Sequence, residues 1–431
     1  MNRLWSIVTL ALVTGTASSA VAQTLTGPNN YPSTRYPVAN AFTADRASRM
    51  TDIEAQPPAP PAPTKAKPVP QKHHHDGQAA SKTDWIGGTC AECGLAACGC
   101  GGWYGRAGAS FMTRDGDNRV WFSFDTGNLG SVFLNSNDIG GGWGWGADVV
   151  LGYALNGGGA IEASYWGIYP GTRAGTAFDP DGATGTANDL DSTFAFDSLD
   201  YNGGTVADFY QNAEMHILRR TYEAHNVEIN YVGTPYGAGC YGNQCGWNWR
   251  WLAGVRYLKF NDGFEYITDD ADQVLTGDPN EVYYTVDVDN HLIGVQVGGG
   301  LDFWFTDRLS FYANAKVGLF GVHMTNRSRI GGSAGDAVVN NPLSPYNGLA
   351  FNVNSTKDDV AMLGELDLGM RYAFSNHWSF VGGYRAVGIS GVALSTNQIP
   401  QYFADIGGVQ DIDSNGSVIL HGGYFGFEFL Y

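Results

Sequence analysis

The chain has 431 residues, 60 of them glycine, with 13% aromatic and only 15% charged residues and a formal charge of −18. Carboxylates in such excess exclude nucleic acid as a partner, because that contact calls for clustered Lys and Arg. No apolar run long enough for a transmembrane helix follows the N-terminal segment, so any membrane crossing must use strands.

In chain order, residues 1–22 carry one Arg, an apolar stretch from Leu4 to about Thr14, and the small-x-small triplet Ala20-Val21-Ala22. That design is a secretory signal peptide, and the mature chain is expected to begin near Gln23, outside the cytoplasm. Residues 23–84 contain QPPAPPAPTKAKPVPQKHHH and read as a disordered, Pro-rich linker with little to bury. Residues 85–102 form a Cys- and Gly-rich entry segment with Cys90, Cys93, Cys98 and Cys100, and Cys240 and Cys245 lie further on. An even count in an exported chain points to disulfides, the last two cysteines stapling a single loop. A zinc site from the four clustered thiols is the alternative, although their CxC half is tighter than a usual zinc knuckle.

From residue 103 to 431 apolar and polar residues alternate, as they do when successive side chains of a strand point to opposite faces. The opening segment sets Trp103, Ala107 and Phe111 against Arg106. Next come Trp145, Val149, Leu151 and Tyr153 against Asp148, then Ile161, Ala163 and Tyr165 against Glu162. Val227, Ile229 and Tyr231 oppose Glu228. The segment WNWRWLAGVRY places Trp247, Trp249, Trp251, Val255 and Tyr257 on one face, with Arg250 and Arg256 on the other. Ile293 to Phe303 oppose Asp302, Leu309 to Leu319 oppose Lys316, and Met362 to Tyr372 oppose Glu365, Asp367 and Arg371. Trp378, Phe380 and Tyr384 oppose Arg385, and the last segment sets Phe425, Phe427, Phe429 and Tyr431 against Glu428.

In each segment the charges avoid the aromatic and aliphatic face. A soluble β-sandwich alternates too, but three features favour a membrane barrel. The runs are roughly 9–13 residues, matching the tilted strands that cross a bilayer. Trp and Tyr sit at their ends, where interfacial girdles belong, and the connections alternate between long and short, with 233–246, the turn carrying Cys240 and Cys245, as the exception. The expected fold is all-β: a transmembrane antiparallel up-and-down barrel of ten strands, with short periplasmic turns and long extracellular loops. Twelve strands are the alternative, because VWFSF (120–124) and VYYTVDV (282–288) are spare strand-like runs. The aromatic row 425–431 would close the sheet and carry the assembly signal read by the barrel-insertion machinery, since lipid satisfies no open edge.

The stretches CGLAACGCGGWYGRAGASF, WGWGADVVLGYALNGGGAIEASYWGIY, WLAGVRYLKFNDGFEY and HLIGVQVGGGLDFWFTDRLSFYANAKVGLFG resemble the family of predicted β-barrel porins recurrent in planctomycete-type bacteria. They cover roughly a third of the chain, and GVRYLKFNDGFEY is the most specific element. The resemblance implies an outer-membrane location and brings over no catalytic residue.

The thirteen inward charges named above nearly cancel, so the acidic excess lies in loops and tail. They are expected to line the lumen, either as a structural network of ion pairs or as the wall of a conducting pore. The functional reading is a narrow porin-like channel for passive passage of small solutes or ions. The alternative is a non-conducting surface structural or adhesion protein on a plugged barrel. No cofactor and no catalysis are expected: His216 and Asp208 lie where a barrel protease could place chemistry, but acidic loops with a histidine are common. The run DIDSNGS offers Asp411, Asp413 and Asn415 as a weak calcium candidate, yet Gly422 stands where an EF-hand needs Glu. A polar turn fits it better. Outer-membrane lipid and the insertion machinery are the expected partners, with oligomeric state left open.

Overall fold

The computed structural model describes residues 102–430 except 117–118, 127–131, 140–141, 156–158, 180–189, 234–246 and 307. The signal peptide, linker and entry segment with their four cysteines, together with Cys240, Cys245 and Tyr431, therefore lie outside the described residues. Ten long strands run β1 (Gly102–Arg114), β2 (Gly144–Ala154), β3 (Ala160–Phe178), β4 (Met215–Gly233), β5 (Trp247–Asp269), β6 (Glu281–Trp304), β7 (Leu309–Gly332), β8 (Asn352–Ala373), β9 (Trp378–Val392) and β10 (Gly416–Leu430). Each pairs antiparallel with its sequence neighbours, and β10 pairs with β1 from Tyr104↔Leu430 to Arg114↔Leu420. The result is a closed up-and-down barrel of ten strands, not twelve. Closure gives every wall strand a paired neighbour on each side and leaves the barrel no open edge strand. At the closing seam Gly108 faces Gly426; a Cβ on Gly108 would stand 2.1 Å from the Phe425 carbonyl, so only glycine fits.

The spare runs resolve differently. Val282–Val288 is simply the upper part of β6, whereas Trp121–Asp125 forms a separate small sheet with Val132–Asn135 and Leu190–Ser192. The strands are also longer than the expected 9–13 residues: β5 has 23, and β6 and β7 have 24 each. The excess lies at one end. The start of β1, the end of β10 and the short connections after β2, β6 and β8 occupy the turn end; the long connections occupy the loop end. Six strands, β3 to β8, rise well beyond the other four on the loop side.

The phase of the hydrophobic alternation explains why. On β6, Ile293, Val295, Val297 and Leu301 point out and are exposed, Ile293 to 69%, while Gln296 and Asp302 point in and are buried. Above residue 292 the phase inverts: Val282, Tyr284, Val286, Val288 and Leu292 point in with no exposed surface, and Asp287 and Asp289 point out. On β5 the switch falls between Tyr257, which faces out, and Leu258, Phe260, Phe264 and Tyr266, which face in. A wall that is apolar outside and polar inside suits lipid. A wall that is polar outside and apolar inside suits water around a packed core. Below the switch, β6 has the 11 residues from Ile293 to Phe303, which at the usual rise and tilt span about 25 Å, the height of a barrel's apolar band.

Candidate functional site

The interior has three layers. Nearest the turn end is a cavity of about 540 Å³, lined among others by Tyr104, Glu162, Arg250, Asp302, Arg371 and Glu428. Arg250 donates to Asp302 at 2.8 Å and to Asn314 at 2.7 Å, Arg371 is ion-paired with Glu428 and approaches Asp302 at 3.8 Å, and the Tyr104 hydroxyl donates to Glu162 at 3.1 Å. These groups come from strands on all sides of the lumen, brought together because every one occupies an inward register position.

The middle layer is a continuous charge network. Asp148 receives Arg106 at 2.8 Å and Arg385 at 2.7 Å. Arg385 reaches Glu365 at 3.6 Å, Glu365 takes Arg256 at 2.8 Å and Lys316 at 3.1 Å, and Lys316 returns to Glu228 at 2.9 Å. Gln296, Asn226 and Asn230 donate further hydrogen bonds to Glu228, so this carboxylate has four neighbours besides Arg256. Asp367 accepts from the Tyr424 hydroxyl, which also meets Tyr312. Trp166 lies across the lumen against the guanidiniums of Arg256 and Arg385, whose Cζ atoms stand 5.9 and 5.7 Å from its ring. Side chains of Arg256, Glu228 and Glu365 are at most 1% exposed. Buried ions this well paired hold one another in place, and removing any one strands its partners.

All thirteen charged side chains singled out from the sequence thus lie in these two layers. What periodicity did not reveal is their partners: Tyr104, Tyr312, Tyr424, Trp166, Gln296 and the three Asn residues. Their inward phase was readable, but nothing in a single strand says which opposite strand a side chain will reach.

The third layer, at the loop end, was not foreseen. One contiguous apolar cluster takes inward residues from nine of the ten strands and joins them to the loops through Phe122, Leu134, Phe196, Tyr210, Val339, Phe351, Leu394, Phe403 and Ile406. Phe403 alone packs against Phe194, Phe196, Tyr284 and Phe351. The loops are also pinned by hydrogen bonds. Asn290 on β6 exchanges two bonds with the backbone of Ala393, at 2.9 and 2.8 Å. Asp262 on β5 accepts from the Ser395 N–H and hydroxyl while pairing with Arg114 of β1 at 2.5 Å and Arg220 at 3.3 Å. Burial alone would raise this carboxyl, but the two guanidiniums and Ser395 hold it down at about 2. The short helix α1 (Val206–Tyr210) enters the cluster through Val206, Phe209 and Tyr210, and Asp208 is its capping-box residue.

His216 is fully buried, touching the Ser123 hydroxyl at 2.8 Å and the Tyr266 hydroxyl at 3.0 Å, and burial pushes its imidazole down to about 3. It and Asp208 therefore do not form a catalytic pair, since Asp208 is spent on the helix cap. The calcium candidate is likewise dispersed: Asp413 accepts from the Asn415 backbone and amide in a local turn, while Asp411 faces Lys357 at 3.9 Å. Of the aromatic C-terminal row, Phe425 and Phe427 are half exposed on the barrel exterior and Phe429 packs on Trp378 at 4.9 Å.

Fold and interior define a ten-stranded closed barrel with a lipid-suited exterior and a partly filled lumen. Residues 225–406 match the family model described as "Putative beta barrel porin-7 (BBP7)", so over β4 to the loop after β9 the chain is similar to that barrel porin family. That match does not bear on a planctomycete origin. No curated protein matches the sequence. Solved structures similar in fold include the outer membrane protease OmpT from Escherichia coli, at 11% identity and TM-score 0.34, covering 77% of this chain and 97% of that one. A major outer membrane protein from Thermus thermophilus has 11% identity and TM-score 0.29, with 77% and 99% covered. The P. putida toluene transporter TodX has 8% identity and TM-score 0.22, with 77% and 89% covered. Scores this low carry no argument about activity, and the barrel stands on its own strand pairing.

Proposed function

We propose that this chain is a bacterial outer-membrane β-barrel, porin-like in its wall and closed at the surface by its own loops. The observation that carries the reading is the apolar cluster spanning the lumen above the charge network. Water and ions cross neither a packed core of Phe, Tyr and Leu nor an ion-paired charge layer without displacing them. In this reading the turn end faces the periplasm and the 540 Å³ cavity is a blind vestibule open to it. Residues 1–22 direct export, 23–84 act as linker, the six cysteines form disulfides, and the C-terminal aromatic row serves assembly. The reading gives His216 no catalytic role, since it is buried in the core.

Of the two roles open from sequence, passive conduction and a plugged structural barrel, the occluded lumen favours the second as the resting state. Planar-bilayer recording of the purified protein tests it. We expect no steady current from the unmodified chain. Stable open channels in the unmodified protein would overturn the reading.

A further inference from the structure

The charges around the turn-end cavity are balanced in number but not in placement. Six cationic and six carboxylate side chains line it. In the ion pairs that the lining cations make, the cation stands nearer the open space. Side-chain exposure is 27% for Arg250 against 7% for Asp302, 17% for Arg106 against 3% for Asp148, and 20% for Arg371 against 12% for Glu428. Lys316 is 15% exposed, while its partners Glu228 and Glu365 are at most 1% exposed. Side-chain length is the cause for the Asp pairs: Asp148 and Asp302 carry their carboxylates on short stems close to the wall, whereas Arg reaches past them. Register makes the room. Inward Gly300 faces Arg250 across the β5–β6 pair, and a Cβ there would stand 3.0 Å from Arg250 Nε and 2.3 Å from Asn314 Oδ1.

We propose that this vestibule binds a small multivalent oxyanion, carboxylate or phosphate, at Arg250 and Arg371. The proposal rests on the reading of a blind vestibule open at the turn end. Each ion pair there is a dipole with its positive end toward the space. Coulomb energy falls with distance, so the nearer charges set the potential that a ligand meets. Arg250 and Arg371 converge on one carboxylate, Asp302, at 2.8 and 3.8 Å. A guanidinium carries five N–H donors in a planar fork that matches carboxylate and phosphate oxygens. Arg250 gives hydrogen bonds to Asp302 and Asn314, and Arg371 gives two to Glu428, so each keeps donors for a ligand. Two lining carboxylates stand outside these pairs. Asp367 is buried and accepts from Tyr424 and Asn314, while half-buried Glu162 accepts from Tyr104. Against Glu162 stands exposed Arg308, on the turn where the lining reaches Ser375 and Asn376 and the cavity opens. A volume of about 540 Å³ lies in the ~300–1,000 Å³ range of small-molecule sites.

Isothermal titration calorimetry of the full-length protein in dodecyl maltoside micelles at neutral pH tests it. Citrate is the carboxylate probe, glycerol 3-phosphate the phosphate probe, and putrescine a dication control. At least one anion should bind and putrescine should not; the tighter anion identifies which oxyanion the site takes. Arg250→Ala should weaken that anion at least about tenfold, the loss expected from one charge-assisted hydrogen bond. Glu428→Gln relieves Arg371 of its partner carboxylate and should tighten the same anion by about tenfold. Loosening of the barrel would weaken binding in both variants, so the opposite signs locate the site. Binding of neither anion, preference for putrescine, or an affinity that neither substitution moves would overturn the proposal. Planar-bilayer recording of the same preparation keeps the two readings apart. Absent anion binding in a non-conducting protein removes the oxyanion site alone, whereas a steady current removes the blind vestibule and the site with it.

Discussion

The two halves of the lumen are built on the same strands from opposite materials. Toward the turn end, the inner wall is charged and encloses a cavity. Toward the loop end, the same strands turn apolar side chains inward and the space is filled. The difference teaches that lipid dictates only the outer face. Where lipid ends, the hydrophobic residues are free to move inside, and the barrel becomes a water-surrounded domain with a core. Occlusion of the lumen then follows from ordinary packing, because the loops supply the aromatics that the inward-facing wall requires.

That contrast can be broken at several points. Asp262→Ala should be the most damaging single change, about 3–5 kcal/mol, because it leaves the guanidiniums of Arg114 and Arg220 buried without their shared carboxylate. Chemical denaturation of the refolded barrel measures it, and a loss below 1 kcal/mol would mean that the loop-end ion cluster is solvated. Phe403→Ala should cost about 3–5 kcal/mol by opening a cavity amid four aromatic neighbours. It should also make the loop end sensitive to protease while the wall stays intact.

The exterior offers a paired test. Val317→Arg, on the lipid side of β7 and 49% exposed, should cost about 2–4 kcal/mol in membranes. Ser379→Arg, which lines the cavity, should cost far less. Heat-modifiable gel migration reports both, and equal damage would show that the two faces are assigned wrongly.

Acid should separate the halves more gently. The His216 imidazole is held down at about 3 by burial, against an ordinary value of about 6.5. Between those limits the unfolded chain takes up the proton and the folded chain does not, so stability falls as pH falls, by about 1.4 kcal/mol per unit. Denaturant midpoints from pH 7 to pH 4 measure the slope, and His216→Gln should flatten it. Asp262 adds its own loss only below about pH 4, since its folded carboxyl is depressed to about 2. The smallest effect is expected at Arg250, which is 27% exposed at the vestibule: Arg250→Ala should cost about 1 kcal/mol or less. Arg256→Ala, in the sealed middle layer, should cost several times that.

Sequence by itself determined the wall. The period of two in segments such as Trp247–Tyr257 set ten strands, and the avoidance of that face by Arg250 and Arg256 set which side meets lipid. Both are local properties of an extended chain. Sequence also contained the phase switch, since Leu258, Phe260 and Phe264 alternate as clearly as the residues before them. It read instead as the start of a loop, because the apolar face had moved to the other side and the partner for that face was invisible. Only the tertiary structure decided what that face packs against. Phe403, Phe196 and Phe122 come from three separate connections, and only closure of the sheet brings them to one place inside it. The same holds for Arg114 with Asp262 and for Arg256 with Glu365, whose partners are fixed by the register and curvature of a closed sheet. Alternation acts between neighbours along one strand, whereas a lumen is filled by groups that meet across it.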